Sequence, residues 1–95
     1  MEVQMRTTIL ATVVDILPIT KPSDKDKEQG FKIKVVLKHE HSQQISGKEY
    51  VEVHFYSIKM KETTLKAGEK IVVEGRTWEI DGLKGFSDFK ILKVG

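Results

Sequence analysis

Hydrophobic and polar residues alternate along much of this chain with a period of two, the pattern of strands half-buried in a sheet. Between Phe31 and His39, the residues Phe31, Ile33, Val35 and Leu37 fall on one side, and Lys32, Lys34, Val36 and Lys38 fall on the other. Glu49 to Tyr56 alternates in the same way. It predicts Val51, Val53 and Phe55 toward the core, with Tyr50, Glu52, His54 and Tyr56 together on the opposite surface. Thr7 to Leu17 is rich in β-branched residues and is closed by Pro18, which fixes its own φ and has no ladder donor. Glu69 to Ile80 and Leu83 to Val94 complete a set of five predicted strands, joined to each other by the hairpin signal Asp81-Gly82.

The connections differ in character. Ile19 to Gly30 carries Pro22 and the mixed-sign run Asp24 to Glu28, which reads as a mobile, solvated loop whose lysines can approach a phosphate backbone. His39 to Lys48 is polar, with Ser46-Gly47 as its hairpin tip. Ser57 to Gly68 is Lys-rich and has the length and composition for a short helix anchored by Ile58 and Leu65 and ended by Gly68. Gly75, inside the fourth strand, marks a bulge or bend of the kind that coils a small sheet into a barrel. Three strands, a longer connection and a closing hairpin are the element order of an OB-fold, so the expected fold is an all-β, five-stranded Greek-key barrel in one domain over residues 1–95.

Composition supports strands: Val, Ile and Thr supply 26 of 95 positions and Ala only two. A core this small gains from oligomerisation, and with no cysteine the chain has neither disulfides nor thiolate ligands. The lack of cysteine and of a charged leader followed by a long apolar segment fits a cytoplasmic protein. The longest apolar stretch, Ile9 to Leu17, is interrupted by Thr12 and Asp15 and is too short to cross a bilayer as a helix, so no membrane partner is expected. A net charge of +2 permits a polyanionic partner without identifying one.

Two stretches carry a family likeness. Leu65-Lys66-Ala67-Gly68-Glu69-Lys70-Ile71-Val72-Val73-Glu74-Gly75-Arg76 resembles the leucine, lysine, glycine and V-x-V-x-G entry into strand four of bacterial single-stranded DNA-binding OB-folds. Val36-Leu37-Lys38-His39-Glu40, followed by the polar hairpin His41 to Lys48, is similar to the primosomal replication protein N family, short relatives of single-strand binding proteins. The resemblance spans Arg6 to Val94. It implies a non-enzymatic homodimer that binds single-stranded DNA and assists a primosomal helicase in replication or replication restart. The strand-three tryptophan often seen in single-strand binding proteins is absent, leaving Tyr50 and Tyr56 for stacking.

Sequence-tolerant recognition of a single strand needs cations along the phosphates and flat rings for the bases. Lys32, Lys34 and Lys38 on the second strand and Tyr50, His54 and Tyr56 on the third supply both on one predicted face. Trp78, Lys84 and Phe86 flank the last hairpin, the second place where OB-folds clasp a ligand. The pattern leaves Trp78 open between core and surface, whereas Phe31, Phe55, Phe89 and Ile91 read as core. The plainer alternative is that the lysines fill a solvated strand face and the tyrosines cover the core edge or a dimer contact.

His39, His41 and His54 raise a metal site, but nothing in the sequence fixes the three around one point, and no metal or other cofactor is expected. Ser57 and Asp88 lack a nucleophile-elbow pattern, and Gly82-x-x-Gly85 is far short of a phosphate loop, so catalysis is not expected. The competing functional class is a protein-interaction module on the same fold, or one that binds RNA.

Overall fold

The computed structural model describes residues 6–95. It contains β1 (Arg6–Pro18), α1 (Asp24–Gln29), β2 (Ile33–Ile45), β3 (Lys48–Met60), β4 (Lys70–Ile80) and β5 (Leu83–Val94). The five strands form one closed sheet in the order β1-β2-β3-β5-β4, with β4 pairing back onto β1. All neighbours are antiparallel except β3 and β5, which meet in a short parallel pairing at Tyr56–Lys84 and Ser57–Gly85. The described residues are thus all-β apart from one short helix. No helix among the described residues is long and apolar enough to cross a membrane.

Alternation along each strand fills the interior. Ile9, Ala11 and Val13 of β1, Val35 and Leu37 of β2, Ile58 of β3, Ile71 and Val73 of β4 and Phe86 of β5 are buried together with Leu65. Phe89 and Ile91 pack against this cluster. At Gly75 the β4–β5 register shifts, and a β-carbon there would stand 3.0 Å from Cα and Cβ of Phe89, so the bulge brings β5 close over β4.

The helix lies elsewhere than the composition suggested. Residues 61–69 contain no helix; they cross as an irregular segment pinned by Leu65 in the core and by Gly68 N–H donating to the Val13 carbonyl at 2.7 Å. The loop read as mobile instead carries α1, opened by a capping box. The Ser23 hydroxyl accepts from Asp26 N–H, the Asp26 carboxylate accepts from Ser23 N–H, and Gly30 closes the helix in the left-handed conformation.

The second correction concerns β3. The β2–β3 ladder runs without a register shift from Ile33–Met60 to Ile45–Lys48, turning at Ser46-Gly47, where both residues have positive φ. This register sets Tyr56 opposite Leu37 and Ile58 opposite Val35, and opposed residues share a face. Tyr56 therefore leans inward, 5.0 Å from the Phe86 ring, and packs against the core. Val51, Val53 and Phe55, expected inside, are 56%, 45% and 54% exposed on the outer face. Beyond His39 the hairpin outruns the closed sheet as an arm, with residues 41–53 all exposed, so its apolar side has no core to meet.

Candidate nucleic-acid interface

On the outer face, the registers align residues into rows that cross the strands. Val36 pairs with Ser57, Ser57 with Gly85 and Gly85 with Trp78, which runs one row over β2, β3, β5 and β4. Two residues to one side, Lys34 pairs with Lys59 on β2–β3 and Arg76 with Ser87 on β4–β5. On the other side, Lys38 pairs with Phe55 and Ile80 with Leu83. Ser57 and Gly85 thus leave the middle of the face low beside Trp78, with Lys34, Lys59 and Arg76 on one side and Phe55, Ile80 and Leu83, together with Lys38, on the other.

That arrangement makes a cleft of about 540 Å³. Ser57 and Ser87 line its base, Trp78 and Ile80 form the β4 wall, and Lys25, Gln29 and Phe31 close the opposite side from α1 and its exit. Trp78 is half-buried because its indole lies against Gly85: a β-carbon on that residue would fall 2.5 Å from the indole Cε2. Phe31, expected in the core, is half-buried along this cleft instead.

One ion pair holds the α1 wall. Lys59 Nζ donates to Asp26 Oδ1 at 2.7 Å, and Asp26 is only 4% exposed. The Lys59 hydrogen bond, followed by the Ser23 backbone N–H, holds the Asp26 carboxyl below its ordinary value of 3.8. Arg76 is paired with Asp88 on the far rim, and Lys38 lies 3.3 Å from Glu40. Lys25 and Lys34 have no acidic partner among the described residues.

The nine residues singled out from the sequence divide between two faces. Lys34, Lys38 and Trp78 are on or beside the cleft face, and exposed Lys32 immediately precedes β2. Tyr50 is 48% exposed on the arm. Tyr56, His54 and Lys84 belong to the inward-facing set, where Lys84 Nζ donates to His54 Nδ1 at 2.9 Å and His54 Nε2–H donates to Glu52 at 3.2 Å. Phe86 is 4% exposed with its ring against Tyr56, so it packs in the core and meets the cleft only at its floor. The sequence reading missed Lys59 and the outward turn of Phe55. Counting back from the Ser46-Gly47 turn finds both, since it pairs Lys34 with Lys59 and Lys38 with Phe55.

His39 donates from Nδ1 to the Leu10 carbonyl at 2.9 Å, and His54 is held by Lys84 and Glu52. No group of three metal-ligating side chains occurs among the described residues. No family model matches the chain, and no curated protein sequence matches it.

Proposed function

We propose that this chain is an OB-fold Greek-key barrel that binds single-stranded DNA without catalysis, with the strand lying in the cleft between α1 and the β4–β5 hairpin. The observation that carries the reading is the cleft itself. A tryptophan lies beside a base of small residues, Lys25 and Lys59 stand at the α1 side, and Lys34 and Lys38 continue the positive edge along β2. OB-folds engage oligonucleotides on this part of the sheet, between the loop after strand one and the loop after strand four, and those are the segments that hold α1 and Asp81-Gly82 here. Backbone cations supply affinity and a flat ring supplies sequence-tolerant stacking. The likeness to the primosomal replication protein N family extends the proposal to a cytoplasmic role in replication restart, with a primosomal helicase as partner.

Trp78 is the only tryptophan, so its emission reports on this cleft directly. Titration with labelled single-stranded DNA at about 50 and 200 mM salt should quench Trp78 and weaken steeply with salt. Parallel titration with RNA of the same sequence separates the two polymers. Binding that is absent, or present without any change at Trp78, would sink the reading. The exposed row Val51, Val53 and Phe55 favours a second activity beside it, protein interaction through β3.

A further inference from the structure

Where β3 and β5 part at the cleft, backbone groups are left without strand partners. The Asp81-Gly82 turn, with both residues at positive φ, makes Ile80–Leu83 a hydrogen-bonded pair, so Lys84 and Phe86 turn their N–H and C=O groups toward β3. On β3 the even-numbered residues bond toward β2, as where the Lys32 N–H donates to the Met60 carbonyl at 3.0 Å, and Ser57 and Lys59 face β5. In the parallel pair Ser57 donates to the Lys84 carbonyl and accepts from the Phe86 N–H. The next rung would join the Lys59 N–H to the Phe86 carbonyl, and the ladder ends before it. The cause lies in β5. Asp88 and Phe89 stand opposite the single residue Gly75, with Asp88 at φ 48°, and this bulge bends β5 away from continued pairing. Lys59 and Phe86 both line the cleft, which thus holds a donor and an acceptor with no strand partner among the described residues. Such groups are costly when left unpaired, and they mark a place for a ligand.

We propose that this gap receives one unstacked base of the bound strand, its edge on the Lys59 N–H and the Phe86 carbonyl and its faces toward Trp78 and Phe31. The proposal rests on the single-strand reading of the cleft. Trp78 and Phe31 stand on opposite walls, and the volume of about 540 Å³ is in the range of small-molecule pockets. Each DNA base carries a donor and an acceptor side by side on its pairing edge, so all four can meet one N–H and one C=O. The site therefore demands a polar ring without choosing among the bases. A protein strand fits less well. The open edge offers one residue, Lys59, before β3 ends at Met60, whereas strand addition draws on several successive rungs. Lys25 and Lys34, flanking the gap, suit a phosphate backbone better than a peptide.

Hydrogen exchange reads the gap directly. In the free chain the Lys59 amide should exchange faster than those of Ser57 and Ile58, and a thymidylate octamer should slow it by about tenfold or more. An octamer built wholly from difluorotoluene, a nonpolar isostere of thymine, keeps the ring and the phosphates but lacks the donor and the acceptor. It should bind about tenfold more weakly at the same salt slope, and restoring a single central thymine should recover most of the loss, because one base is held. Phe31→Leu should weaken binding of the thymidylate octamer by about fivefold or more with the salt slope unchanged. Equal affinity for the two octamers, recovery only in proportion to the thymines restored, a Lys59 amide unmoved by bound DNA, or a Phe31→Leu chain that binds as the parent does would each overturn the proposal and leave the single-strand reading standing. Equal slowing of Lys59 by a short extended peptide of Ala and Lys would give the gap to a protein strand instead. Failure of both octamers to bind would remove the two readings together.

Discussion

Trp78 lies across Gly85, and the same glycine faces the Ser57 carbonyl so closely that a β-carbon would be 2.8 Å from its oxygen. The indole therefore depends on a missing side chain two strands from β2. Gly85→Ala should push the ring off its seat and destabilise the fold by about 1 to 3 kcal/mol, as overpacking against backbone does. Trp78 emission should shift to the red. Oligonucleotide affinity should fall while the salt slope stays that of the parent. An unshifted spectrum would mean that the ring does not rest there.

The two tyrosines separate core from surface. Tyr56 packs on Phe86 and the core, so Tyr56→Ala should lower stability by about 2 to 4 kcal/mol in urea denaturation. Tyr50, 48% exposed on the arm, should change stability by no more than about 0.5 kcal/mol when cut to Ala. Equal losses would contradict the β3 register.

Lys25 and Lys34 flank the cleft face without an acidic partner among the described residues. Replacing either by Ala should reduce the log–log salt slope of single-strand binding by roughly 0.7 for each phosphate that is no longer neutralised. The circular dichroism spectrum should be unaffected. If both variants retain the parental slope, the strand does not follow this edge.

Low pH should loosen the α1 wall before the sheet. The folded carboxyl of Asp26 is held below its ordinary value of 3.8, chiefly by Lys59, so it gives up its charge less readily than in the unfolded chain. Its contribution is then complete above the unfolded value and is lost as pH falls through the lower, folded one. Amide shifts of residues 24–29, followed from about pH 6 to about pH 2, should move while those of β1 and β4 hold. In Asp26→Asn the same residues should show the released shifts throughout that range.

Most strands could be read from alternation and turn residues, because a closed sheet buries one side of each strand and that side must be apolar. β3 misled for a specific reason. Its alternation is genuine, but on the arm the apolar side faces away from the interior, and of its side chains Tyr56, Ile58 and Met60 are the ones that pack in the core. The turn at Ser46-Gly47 carried better information than hydrophobicity did, since it numbers the pairs outright. α1 escaped notice because it buries no apolar residue; its signals are a Ser-x-x-Asp cap and a closing glycine. The cleft required the β3–β5 pairing, which joins residues 28 positions apart and leaves no trace in local pattern.

The tight turn also limits how the arm can change over evolutionary time. Both Ser46 and Gly47 adopt positive φ, and the pair closing them must bond across the ladder, so deleting one residue from one strand would send every side chain beyond it to the wrong surface. Related chains that keep this turn can shorten or extend the arm only in blocks of four residues, two from each strand. The reach of the arm is then quantised in steps of roughly 7 Å.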